Sequence, residues 1–162
     1  MRRVSAVAGQ SSRHDAPRLW PAAAGLVVII FQTVSVGGWA SFAPHSFVTD
    51  FPGLGLRWIV DETAPSEHFV RDVGFLHLAL GLVALRAGWQ VVRGPRDIQR
   101  WELRGLGVGW SFFALLHLTF HATQTEGLDA MTMTTSLTSL ALSLAAGVVL
   151  TLAPTVCRRR RR

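Results

Sequence analysis

The 162 residues are 49% hydrophobic and only 16% charged, with a mean hydropathy of +0.33. This composition lies outside that of an ordinary soluble domain. All 16 basic residues are arginine and the formal net charge is +6. In a soluble chain that balance would suggest nucleic acid; here topology and anionic lipid heads account for it, and no nucleic-acid partner is expected.

Four apolar stretches, about residues 20–41, 70–92, 103–122 and 133–153, each approach the roughly 20 residues that cross a bilayer. Unpaired backbone is costly in hydrocarbon, so each span is expected to be a helix, and the four must pack together to shelter their polar positions. The expected fold is all-α: a four-transmembrane-helix bundle over residues 20–153 between two basic tails, 1–19 and 154–162. Arginines set its orientation. Fourteen of the sixteen fall in the N-terminal tail, in the connection between the second and third spans, and in the C-terminal tail. Arg57 and Arg71 lie on the opposite side with seven of the ten acids. Both termini are therefore expected to be cytoplasmic (N-in/C-in) in a multi-pass protein of the cell membrane. The first apolar run is too long for a signal-peptide core, so it is read as an uncleaved anchor. Cys157, a lone thiol beside the arginine tail, offers no disulfide framework.

Between the first and second spans, residues 42–69 form a long outer loop. Its stretch "FAPHSFVTDFPGLGLRWIVDETAPS" is too apolar to float in water and is expected to fold back over the bundle. Ser66, after Pro65, is suited to cap the second span, and Glu67 then lies at the positive end of the helix dipole. Glu67 with Arg71, and His68 with Asp72, are four apart, which predicts two boundary ion pairs. The sharper alternative makes Glu67, His68, Arg71 and Glu126 the rim of a pocket capped by the loop.

Polar groups at membrane depth are rare and face the bundle interior or a wet cavity. Counted from the outer boundary at 1.5 Å per residue, His77 and His117 both lie roughly 10 Å deep, with His121 near the rim. His77 shares a helix side with Gly74, Gly81 and Gly88, so it is expected to face a neighbouring helix. Trp110, Ala114, His117 and His121 form a second stripe, answered by Thr135, Ser139 and Ser143 on the fourth span and by Gln32 and Ser35 on the first. The plainer role of these groups is hydrogen bonding inside the bundle. The chemical alternatives are a divalent metal held by His77, His117, His121 and Asp72, or haem or quinone at His77 and His117. A bis-histidine haem would need a widened bundle or helices that are not adjacent, because packed helices lie only about 8–10 Å apart.

The strings "PHSF", "EHFVRDVGFLHLALG" and "HLTFHATQTEGLD", set at the ends of the spans, give a plan that resembles the small four-helix membrane proteins of actinobacteria, broadly DoxX-like. The resemblance covers about residues 20–152. It implies the bundle, and a link to quinone-coupled sulfur oxidation and redox stress; no catalytic motif is matched, so no catalytic residue is carried over. The expected function is that of an accessory or structural membrane protein without an enzymatic motif, engaging a membrane-protein partner or a second copy of itself. The alternatives are a redox subunit and an oligomeric transporter.

Overall fold

The computed structural model describes residues 20–59, 65–93, 100–125 and 127–153. Four of its helices, α1 (Trp20–Phe42), α3 (Glu67–Arg93), α4 (Arg100–Thr123) and α5 (Ala130–Leu152), are long and apolar enough to cross a membrane. A fifth, α2 (Pro44–Asp50), sits in the connection after α1, followed by a two-stranded antiparallel ribbon, β1 (Pro52–Gly53) and β2 (Leu56–Arg57).

Local chemistry sets the ends. Pro44, which has no N–H to leave unpaired, opens α2. Leu54 and Gly55 both have positive φ, 59° and 78°, as a two-residue ribbon turn of the primed type requires. The Ser66 hydroxyl accepts a hydrogen bond from the Phe69 amide at 3.3 Å, so the cap expected of it is formed and α3 starts three residues before Val70. Asp129 caps α5 by accepting from the Met131 and Thr132 amides at 2.9 and 3.0 Å.

Helix packing follows the small residues. α1 packs on α3 and α4 on α5, a looser α1–α5 contact joins the two pairs, and α3 barely touches α4. On α3, Gly74 and Gly81 face α1: a Cβ added at Gly74 would lie 2.5 Å from the Ser41 hydroxyl, and one at Gly81 3.0 Å from that of Thr33. In the other pair a Cβ at Gly107 would lie 2.5 Å from the Thr151 amide nitrogen, and one at Gly147 2.6 Å from the Ser111 hydroxyl. Close backbone approach of this kind supplies packing where lipid leaves little hydrophobic drive between helices. Gly74 and Gly81 thus meet α1, as the shared side of α3 suggests, and His77 stands beside that seam.

Large apolar side chains point outward instead, among them Phe31, Phe75, Leu82, Phe112, Leu116 and Leu142. That arrangement suits a lipid surround and not water. Two buried clusters remain inside. The larger, around Leu26, Ile29, Ala84, Leu106, Trp110 and Leu150, fills the end nearer the α3–α4 connection. The smaller, Ala40, Phe47 and Val70, lies at the opposite end. Space is left between them.

Candidate functional site

That space is a cavity of about 640 Å³, within the range of small-molecule sites. Its floor is Trp110, only 3% exposed, whose indole N–H donates to the Ser143 hydroxyl at 3.0 Å. Gln32, Ser35, Val36 and Trp39 line it from α1, and Ser136, Ser139, Leu140 and Ser143 from α5. Val73 and His77 contribute from α3; Phe113, His117 and His121 come from α4. Because α3 and α4 lean on different partners, the gap between them stays open to side chains. Phe31 borders the cavity yet is 69% exposed on the bundle exterior, so this edge of the chamber faces the lipid side of α1.

The roof is built from the segment after α1. Phe47, Phe51, Pro52, Trp58 and Ile59 line the cavity from above. Their rings form a continuous cluster with Trp39: Trp39 to Phe51 is 5.8 Å between centroids, Phe47 to Phe51 is 4.7 Å and Phe51 to Trp58 is 5.4 Å. Polar bonds pin it at several points. The Trp58 indole N–H donates to the Thr135 hydroxyl at 3.2 Å, across to α5. That of Trp39 donates to Ser46 at 3.2 Å, and Arg57 Nε donates to the Thr49 carbonyl at 2.9 Å. Residues 43–59 of the connection lie against the helices, with their aromatics engaged in one another rather than spread singly along a boundary.

One row of rings runs along the α4 wall. Phe113 lies between two histidines, edge-on to His77 at 5.7 Å and stacked on His117 at 5.4 Å; His117 in turn meets His121 at 4.7 Å. His77 Nδ1 lies 2.8 Å from the Val73 carbonyl oxygen. A carbonyl only accepts, so Nδ1 carries the proton, and in the neutral ring Nε2 is left as an acceptor. Gln32 Oε1 is buried and has no hydrogen-bond partner. Among the described residues the lining contains no Asp, Glu, Lys or Arg. Carrying a net charge into such a chamber would be costly, so the arrangement suits a neutral occupant.

His77, His117 and His121 therefore share one cavity, whereas Asp72 does not join them. Its carboxylate pairs with His68 at 3.4 Å, and both side chains are more than half exposed. Among the described residues no three His, Cys, Asp or Glu side chains converge as a metal site would need. The Glu67–Arg71 pair forms at 2.8 Å. Arg71 also donates to the Ser41 carbonyl, in the last turn of α1, so it ties α3 to α1 at the exposed boundary. None of Glu67, His68 and Arg71 lines the cavity; Glu126 lies outside the described residues. On α5 Ser139 and Ser143 of the expected stripe line the cavity together with Ser136, while Thr135 turns its hydroxyl to the Met131 carbonyl and receives Trp58. Phe113 between the histidines and Trp58 on Thr135 were not anticipated. Phe113 is four residues before His117, a spacing that announces the stack, but nothing local announces a tryptophan reaching a helix 77 residues away.

No family model matches the chain, and no curated protein or solved structure is significantly similar to it.

Proposed function

We propose that this chain is a multi-pass protein of the cell membrane, accessory rather than catalytic, that holds a neutral lipophilic molecule in the roofed cavity. The single observation that carries the proposal is a chamber of about 640 Å³, lined by aromatic and aliphatic side chains with a few uncharged polar groups, which is the usual make-up of a small-molecule site. The histidines contact rings and backbone, and among the described residues no lining carboxylate stands ready to work with them. The test is solvent extraction of detergent-purified protein followed by mass spectrometry. A neutral lipophile in proportion to protein is expected; an extract holding only detergent and bulk phospholipid overturns the proposal.

In this proposal both termini are cytoplasmic, the arginine-rich tails lie against anionic lipid heads, and the roofed cavity opens in the outer leaflet. Arginine asymmetry supports that orientation. Cys157 offers the check: a membrane-impermeant maleimide should label it in opened cells and leave it unlabelled in intact ones. The DoxX-like affinity, supported by similarity of plan, and a membrane-protein partner or a second copy of the chain belong to the same proposal.

A redox subunit is the second reading, favoured by the convergence of His77, His117 and His121 on one chamber. A haem bridging His77 and His117 would have to displace Phe113, which touches both, and a divalent metal would lack Asp72, held by His68. A quinone-sized head meets neither obstacle. Visible spectra and metal analysis of wild type and His117→Ala separate the cases. A Soret band or stoichiometric metal lost in the variant would establish haem or metal, and a colourless, metal-free protein would remove both.

A further inference from the structure

The two helix pairs meet through α1 and α5, and they meet unevenly. Near the α3–α4 connection a Cβ added at Gly25 would lie 3.0 Å from the Ala146 carbonyl oxygen, so the two backbones lie close together. Residues seven or eleven apart share a helix side. Gln32 and Val36 therefore continue the Gly25 side of α1 toward the roof, and Ser139 and Thr135 continue the Ala146 side of α5. Here Gln32, Val36 and Ser139 line the chamber, and Thr135 is bridged by the Trp58 indole of the roof. The facing sides of α1 and α5 thus bound a slot about 16 Å long, from the level of Ala146 to that of Thr135. Phe31 stands at its edge. It lies on the flank of α1 turned away from α3, since Thr33 and Gly37 are the residues that meet Gly81 and Leu78. It lines the chamber while 69% exposed on the bundle exterior.

We infer that the chamber opens sideways into the bilayer through this slot, and that its occupant is a neutral lipid with a long chain, which enters from the hydrocarbon and leaves its chain in the slot beside Phe31. This rests on the binding function proposed above. Depth supports it. Phe31 is the central residue of α1, about 16 Å from either end. A bilayer core is about 30 Å thick, so the slot meets lipid tails whichever end of the bundle is outermost. Ionised heads are held at the surface by their cost in hydrocarbon, which restricts entry at this level to molecules with uncharged heads. Inside, Ser136 and Ser143 supply uncharged polar contacts for such a head, and a chain too long for the chamber stays in lipid.

The probes are para-bromobenzyl alcohol and its hexadecyl ether, titrated against the full chain in lipid nanodiscs and compared as mole fractions in lipid. Bromine quenches tryptophan fluorescence on contact. With the exposed Trp20, Trp89 and Trp101 changed to phenylalanine, the signal comes from Trp39, Trp58 and Trp110, which line the cavity. Both probes should quench saturably, the ether within about threefold of the alcohol, because its chain never leaves hydrocarbon. Moving the bromine to the end of the chain should abolish the saturable quenching while the ether still displaces the alcohol. Ser35, one turn from Phe31, also lines the chamber and is half-buried. Ser35→Leu narrows the slot and should weaken the ether about tenfold more than the alcohol; Ser35→Val replaces it should the leucine variant fail to fold. Saturable binding of the alcohol without the ether, or equal weakening of both by Ser35→Leu, overturns the inference and leaves the cavity as a binding site. Absence of saturable quenching by either compound overturns the binding function itself.

Discussion

The two ends of this bundle solve different problems with the same four helices. Near the α3–α4 connection, small residues bring backbones together: the sites of Gly107 and Gly147 leave no room for a Cβ, and Leu26, Ile29 and Leu150 fill the centre. Arg86 on α3 reaches Glu102 on α4 at 3.0 Å, and Gln90 donates to the same carboxylate, so the outward arginine at this end is engaged by a neighbour. At the other end α1 and α3 still approach closely, at Gly37 and Gly74, while bulky rings cover the space between the two helix pairs. Trp39, Phe47, Phe51 and Trp58 close the top, and a chamber with three histidines remains beneath. Cohesion lies within the α1–α3 and α4–α5 pairs, which lets the space between the pairs stay open. Packed interiors ordinarily avoid voids of this size because their linings forfeit contacts.

The contrast breaks most sharply at the glycines. Gly107→Leu should lower stability by about 3 kcal/mol, because the atoms in the way are the Thr151 amide and hydroxyl and the Gly147 carbonyl, which cannot swing aside. Gly105→Ala, two residues earlier with nothing within 4 Å of an added Cβ, should be neutral or gain up to about 1 kcal/mol of helix propensity. Thermal unfolding in one detergent compares them, and equal losses would mean that the close α4–α5 approach is not what holds this end.

A smaller effect is expected at the roof. Trp58→Phe keeps a ring against Phe51 but deletes the N–H to Thr135. It should cost about 0.6 kcal/mol, the average for an interhelical bond in lipid, while weakening binding of a lipophilic probe several-fold. A stability loss with unchanged binding would show that the segment closes nothing.

The smallest effect concerns the turn into α5. Hydrogen bonds from the Thr132 hydroxyl, then from the Thr132 and Met131 amides, hold the Asp129 carboxyl below its ordinary range. A carboxyl depressed in the folded state stabilises above its unfolded value, near 3.9, and that contribution is lost as pH falls through the lower folded value. Stability should therefore slip below about pH 4. Asp129→Asn, which caps without titrating, should flatten the slip. An identical acid profile in both proteins would assign it to other groups.

How much of this was legible in the sequence depends on the range of the forces involved. Span positions follow from local hydropathy, and the Ser66 cap and the two boundary ion pairs from contacts within four residues. The depth arithmetic likewise brings His77 and His117 to one level, and they share the cavity. What stayed hidden depends on which helices become partners. α3 and α4 are neighbours in sequence, but the seam of α3 is cut for α1 and that of α4 for α5. The chamber is the consequence of those two choices. Asp72 belongs with the local features, since the predicted contact with His68 four residues away forms and leaves Asp72 outside the chamber.

Ser139→Phe tests most directly whether the chamber is kept for an occupant. Ser139 lines the cavity from α5, and a ring there should fill the space. The melting temperature without ligand should hold or rise, and saturable tryptophan quenching by para-bromobenzyl alcohol should disappear; a void kept for function is expected to trade stability in this way. A melting temperature that falls as far as that of Gly107→Leu, or binding that survives the ring, would contradict the account.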